Sequence, residues 1–391
     1  MMSETSVRAI LSDMEQAIRQ RAESAYIELA KKLGAENIDA LDESHEPTIL
    51  TLVSSGWDNE KALQALIELG ASLHYRNEDG GSLLHEAARG NSPKMITMLV
   101  ENGLNPNHKD TFSHQSPLFE CSSKQSVRAL LSVGADHNST NIHGHTPIFE
   151  CIHPEVARAL MEGGADIEYQ SDEDDECLRP LHLLSIKKVN AVIAVLVECG
   201  ANIDAQDTKG KTPLMHALSR CHDETALQLI KAGASVSLAD EDGIQPIHRA
   251  ADRGCIKSLA ELVQNKGVDI HTQSPSGQAA IHLAASTRHN DSVKFLLSAG
   301  ADLNALCNMG KTPLHYAAQY GQIENVKALI EAGASMSARD KGNLDPKGIA
   351  KACGNDAVYD YIASAQASME IESMFGGAQP STPSRSKGLG L

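Results

Sequence analysis

The chain has 391 residues, a formal net charge of −17 and only 3% aromatic residues. That acidity excludes phosphate-driven binding of nucleic acid, which needs clustered lysine and arginine, and leaves leucine, isoleucine, valine and alanine to build the interior. A chain this long exceeds one ordinary core unless it grows in one dimension.

The opening stretch MMSETSVRAILSDMEQ lacks a secretory apolar core, and no apolar run approaches the ~20 residues of a membrane span. The eight cysteines form no CxxC pair, so reduced thiols in a cytoplasmic compartment are expected. Residues 3–34 place Val7, Ile10, Leu11, Met14 and Ile18, then Tyr26, Ile27, Ala30 and Leu33, at helical spacing among charges. Two amphipathic segments are predicted, capping the apolar end of the adjoining stack. The alternative is a partner-binding or dimerising helix.

The long central stretch is periodic. Gly70, Gly103, Gly134, Gly164, Gly200, Gly233, Gly267, Gly300 and Gly333 each end an apolar run, at spacings of 33, 31, 30, 36, 33, 34, 33 and 33 residues. One supersecondary unit copied along the chain gives that pattern, and a stack of such units yields a long binding surface. The cleanest copy is GKTPLHYAAQYGQIENVKALIEAGASMS, 310–337. Thr312 caps a short helix with Pro313 at its first position. Leu314, Ala317 and Ala318 form its narrow apolar face, and Gly321 breaks it. A second helix carries Val326, Leu329 and Ile330, and Gly333 supplies the left-handed residue that ends it.

Two copies depart from the rule. From Ser116 to Gly134 and from Thr146 to Gly164 the distance is 18 residues, against 21 in most others. Both read PLFEC or PIFEC, with Phe119 and Phe149 at the usual histidine position and Cys121 and Cys151 at the first alanine. The next loop gains three residues and carries Asp172, Glu173, Asp174, Asp175 and Glu176 in a row. Two clipped units and then an enlarged acidic finger are the strongest candidate for a specialised feature; drift in a length-tolerant loop is the alternative. DPKGIAKACG, 345–354, is a degenerate tenth copy closing the far end. From Gly376 the chain is rich in Gly, Ser and Pro and is expected to be disordered.

These units resemble the ankyrin repeat, whose signature is a TPLH-x-AA run and then LL-xx-GAD-x-N. Matching helix starts are PTIL (47–50), SLLH (82–85), SPLF (116–119), TPIF (146–149), RPLH (179–182), TPLM (212–215), QPIH (245–248), AAIH (279–282) and TPLH (312–315). The resemblance implies an all-α solenoid of about ten repeats, each a helix-turn-helix plus a hairpin loop. It divides the chain into a helical cap (1–42), an array (43–364) and a flexible tail (365–391). It puts Gly80, Gly144, Gly210, Gly243, Gly277 and Gly310 at tight hairpin tips, with His114 and Leu178 in glycine's place in two copies.

The resemblance also implies a site. His85, His182, His248, His282 and His315 become structural, hydrogen-bonding between neighbouring loops. A partner protein is expected along the concave face, against hairpin tips and first-helix ends. The exposed positions there are Ile142, His143 and His145 in the fourth repeat, Asp242, Ile244 and Arg253 in the seventh, and Met309, Lys311 and Tyr320 in the ninth. The run Asp172–Glu176 is a further docking candidate for a basic partner, or simply a solvated loop. It lacks the alternating ligands and glycine of a calcium loop. His143 and His145 lack the paired spacing of a zinc site, leaving exposed loop histidines. Cys121 and Cys151 fit buried inert thiols better than nucleophiles. No nucleophile elbow, phosphate loop or kinase signature occurs. No cofactor, metal or catalytic residue is expected, and the protein is read as a monomeric, non-enzymatic adaptor. The alternative is a pathogen or phage effector whose acidic surface blocks a basic site on its target.

Overall fold

The computed structural model describes residues 2–40, 47–171 and 176–375, with side chains described up to 371. Among the described residues the structure is helical, and β structure amounts to isolated bridges such as Arg76 with Ser82 and Gln273 with Ala279. It is an all-α repeat solenoid. The chain divides into two compact bodies, one of Met1–His216 with Lys231–Ala234, the other of Ala217–Ile230 with Ser235–Leu391.

Each repeat contributes a short helix, a tight turn, a second helix and a hairpin. In the second body the pair Pro313–Gln319 and Ile323–Glu331 is typical. Leu314, Ala317 and Ala318 are buried from the first helix, and Val326, Leu329 and Ile330 from the second. Spacings of three and four residues place them on one stripe. Each fully buried leucine or isoleucine contributes about 1.5–3 kcal/mol. Two alanines in the first helix keep it narrow, and it packs on Ala280–Ser286 of the preceding repeat and Pro346–Ala352 of the next.

In the first body, helices Glu4–Arg19 and Glu23–Leu33 pair with each other and lie against Thr48–Ser54 and Glu60–Glu68. Tyr26, Leu33 and Ile38 are buried there, and the Tyr26 ring meets Trp57 edge-on at 5.9 Å. At the other terminus, helix Asp356–Phe375 packs on Pro346–Ala352 and Ile323–Glu331. This corrects the expected start of a flexible tail at 365. Val358 and Ile362 anchor the helix, and ASAQASMEIE is free of glycine and proline, so the helix propagates beyond its packed turns. Residues 376–391, expected to be disordered, lie outside the described residues.

The clipped repeats are visible as such. Where other repeats carry a first helix of seven or eight residues, the third has a 3-10 turn, Pro117–Glu120, and the fourth one helical turn, Pro147–Glu150. Cys121 and Cys151 then leave both in the same extended conformation, φ −68° and ψ 125°. The shortened ends leave a notch of about 180 Å³ lined by Glu120, Cys121, Glu150, Cys151 and Ile152. Burial pushes the Cys121 thiol well above its usual range and that of Cys151 up to about 11. Both are thereby held as thiols at neutral pH.

Candidate functional site

The hairpins are closed from the sequence upward. Asn77, Asn141, Asp207, Asp240, Ser274, Cys307 and Asp340 each donate a backbone N–H to the carbonyl four residues on, at 2.9–3.1 Å. Where that residue is Asn or Asp, its side-chain oxygen also accepts loop N–H groups, as Asp340 Oδ1 does from Leu344 at 2.9 Å. This is the local reason those residue types recur there. The third hairpin closes one residue later, Asp110 to Gln115. The fifth closes from Ser171 to Leu178, so its three extra residues lie within the hairpin. Glycine's place at its tip is taken by Cys177, at φ 49°, and not by Leu178, which is buried; His114 does occupy the place in the third, at φ 55°. Counting back two residues from Arg179 gives Cys177 and corrects the expectation.

Neighbouring tips are joined by backbone hydrogen bonds. Thr111 N–H donates to Asp79 O (2.8 Å), Ile142 to Ser113 (3.0 Å) and Thr208 to Glu176 (3.1 Å). In the second body Asn308 donates to Ser276 (3.0 Å) and Lys341 to Met309 (2.9 Å). Behind five of the tips a histidine forms a pillar. His85 Nε2 donates to Gln115 O at 3.0 Å, His182 to Ala205 at 2.9 Å, His248 to Thr272 at 3.0 Å, His282 to Ala305 at 2.9 Å and His315 to Leu344 at 3.2 Å. Their Nδ1 atoms accept the backbone N–H at the helix start, as from Thr312 at 3.0 Å. A carbonyl can only accept and an N–H only donate, so the neutral Nε2–H tautomer is fixed. Burial lowers all five, His182 to about 4.

In four hairpins a second tie links the first residue to the helix residue nine positions on. Asn77 pairs with Glu86 (2.9 Å), Asp207 with His216 (2.7 Å), Asp240 with Arg249 (3.0 Å) and Cys307 with the Tyr316 hydroxyl (3.6 Å). In one case the tie gathers metal-ligand types: Glu176, Asp207 and His216 hold their ligand atoms within 4.8 Å of one another. Lys209 Nζ already lies 2.6 Å from Glu176, and Asp207 Oδ1 accepts the N–H groups of Lys209 and Lys211. These groups serve the hairpin, and a cation would have to displace the Lys209 ammonium.

The residues expected to meet a partner divide. Met309 and Tyr320 are 60% and 54% exposed, and Lys311 reaches from the tip to Gln319 at 2.6 Å, tying tip to helix end. Asp242 and Arg253 are exposed, the latter paired with Asp252 at 3.2 Å. Ile142 and His143 stand out from the fourth tip. His145 does not, which corrects the expectation of an exposed loop histidine. It is buried, stacked on Phe149 at 4.9 Å, with Nδ1 3.0 Å from Glu150. With Phe149 in the pillar position, the aromatic ring neighbours the tip and draws His145 inward. Glu150, held also by Lys187, is pulled down to about 2 by those two partners. Ile244 is half-buried, not fully exposed. Glu176 is half-buried and carries Lys209; Asp172, Glu173, Asp174 and Asp175 lie outside the described residues.

Large apolar groups that escaped the sequence reading include Phe112, 77% exposed, with Ile152 and Leu306. Phe112 stands four residues before Ser116, a position the repeat pattern already marks as exposed. Ile152 comes just after the clipped fourth helix, and only its truncation lays it open.

The family signature described as ankyrin repeats (3 copies) matches residues 168–240 and 247–340, and that described as ankyrin repeats (many copies) matches 38–100. Together these spans exceed half of the chain. The chain belongs to the ankyrin-repeat family. Its ankyrin array is 30% identical over 249 residues to the putative palmitoyltransferase ZDHHC13 of Danio rerio, covering 59% of this chain and 33% of that protein. It is 26% identical over 207 residues to human SH3 and multiple ankyrin repeat domains protein 2, covering 52% and 9%. With Rabankyrin-5 of Mus musculus it shares 28% identity over 121 residues, covering 30% and 10%. The chain thus spans a third or less of the length of these relatives. An ankyrin array is a protein-interaction module. Among the described residues no helix is long and apolar enough to cross a membrane. The clipped third and fourth ankyrin repeats fall at 101–167, between the matched stretches 38–100 and 168–240.

Proposed function

We propose that this ankyrin array is a non-catalytic adaptor that grips a partner protein with its hairpin tips and first-helix ends. The observation that carries this reading is the ladder of hydrogen-bonded tips, which fixes Met309 beside Lys341 and holds its neighbours in register. Large apolar groups on a pre-ordered backbone lose little entropy on association and concentrate binding energy when covered. Met309 and Tyr320 in one body, and Phe112 and Ile142 on hydrogen-bonded tips in the other, are the contacts assigned to the partner. On this reading the protein acts as a cytoplasmic monomer, with residues 1–42 as cap and no nucleic-acid or membrane ligand.

The test compares the full chain with the Met309→Ala/Tyr320→Ala variant in a cross-linking pull-down read by mass spectrometry. The variant keeps its helical content and melting temperature while the cross-linked partner falls at least tenfold. Undiminished recovery of the same partner overturns the assignment. A second reading, an effector that blocks a basic site, draws support from the net charge of −17 and the acidic run ending at Glu176.

A further inference from the structure

Consecutive ankyrin repeats stack their inter-helix turns as well as their hairpins, and in the second body this brings two cysteines together. Cys221 lies in the turn before helix Asp223–Lys231, held at φ 56° in the left-handed region. Cys255 lies in the next repeat's turn, before helix Ile256–Ala260. One carbonyl joins them: Leu218 O accepts the Cys221 backbone N–H at 2.9 Å and the Cys255 thiol at 3.4 Å. The Cys221 side chain lies close enough to Cys255 to push that thiol's pKa up further.

Asp223 locks this arrangement. Its carboxylate accepts the backbone N–H groups of Lys257 (3.3 Å) and Ser258 (3.1 Å) and the Ser258 hydroxyl (2.5 Å). The clamp therefore sits two residues beyond Cys221 on one stretch of chain and two to three beyond Cys255 on the other. The thiols differ in access, Cys221 being exposed and Cys255 fully buried. Burial and the neighbouring thiol hold Cys255 protonated, well above its ordinary range.

We propose that Cys221 and Cys255 form an oxidative modification site, closing to an inter-repeat disulfide when the protein meets hydrogen peroxide. Exposed Cys221 is the attacking group. Its thiolate sulfur displaces hydroxide from the O–O bond, giving a sulfenic acid, and the hydroxide takes up the proton that the thiol released, forming water. Cys255 then attacks the sulfenic sulfur; the S–O bond breaks, and the departing hydroxide leaves as a second water with the Cys255 proton. Two thiols lose two electrons and two protons, and one peroxide becomes two waters. The product adds a covalent staple between one repeat's turn and the next.

The test uses the full chain. One molar equivalent of hydrogen peroxide is added, free thiols are alkylated, and the protein is digested with trypsin without reduction. The expected product joins the peptide Cys221–Lys231 to the peptide Gly254–Lys257. It disappears after reductant and in Cys221→Ser, and the oxidised wild-type chain melts at a higher temperature than the reduced one. Cys221→Ser alters an exposed group, and its circular dichroism confirms that the fold persists. Exposed Cys199 and Cys353 are internal controls, expected as alkylated thiols at this dose. Cys221 recovered as a thiol or a sulfinic acid without the cross-link, or joined to another cysteine, overturns the proposal.

Discussion

Five buried histidines each bridge their own helix start to the next hairpin, and that double duty makes stability pH-dependent. Protonation would place a second N–H on Nδ1, where a backbone N–H already donates. The native state therefore holds these rings neutral, with values below the ordinary 6.5 of the unfolded chain. The unfolded state binds more protons between the two values, so stability is complete above about pH 7 and falls as pH drops below about 6.5. His182, lowered to about 4, alone costs on the order of 1 kcal/mol at pH 5.5 by the same linkage. Relief of self-repulsion at net charge −17 opposes this only weakly, because exposed charges are screened. Urea midpoints measured from pH 8 to pH 5 should be flat and then decline; midpoints that rise on acidification would contradict the pillar assignment. The pillar was legible because one residue type repeats at one position. The tie nine residues apart was not, because the four repeats that have it each use a different pair: Asn with Glu, Asp with His, Asp with Arg, Cys with Tyr.

Hairpins are where element and neighbour are hardest to separate, as Gly277 illustrates. Its φ is 75°, and a Cβ placed there would lie 2.6 Å from Asn308 N and 2.5 Å from Asn308 Oδ1. That nitrogen donates to Ser276 O, one rung of the tip ladder. Gly277→Ala thus strains the turn and pushes the next tip away, an expected loss of about 1–3 kcal/mol. Gly333→Ala, with φ 94° but nothing within 4 Å, meets only the backbone penalty. In thermal melts Gly277→Ala should unfold several degrees below Gly333→Ala; equal shifts would mean that the rung adds nothing. Glycine spacing in the sequence marks both positions alike, and only the approach of Asn308 tells them apart. The same limit holds for other elements. The clipped helices and the enlarged fifth hairpin emerge from counting residues. The run-on of helix Asp356–Phe375 depends on an absence of breakers, and the burial of His145 on the Phe149 ring against which it stacks.

For the whole chain, two sources of affinity compete, and their distance dependence separates them. Apolar tips act only on contact, and burying Met309 and Tyr320 removes surface from water at any ionic strength. A net charge of −17 acts over a Debye length of about 8 Å at physiological salt and is screened as salt rises. Neighbouring repeats share cores, so a partner contacting several tips draws on a backbone already ordered by its own stack. The acidic run Asp172–Glu176 supplies five of the chain's 51 acidic residues. Replacing all five by Asn or Gln removes a local field but leaves every described tip in place. If the adaptor reading holds, partner affinity changes less than about threefold between 50 and 500 mM salt, and the neutralised variant binds nearly as well. An effector blocking a basic site instead loses affinity by more than about tenfold over that range, with the loss concentrated in the association rate. Surface-plasmon titration of both variants at the two salt concentrations distinguishes the readings, because Met309→Ala/Tyr320→Ala acts through dissociation and charge neutralisation through encounter.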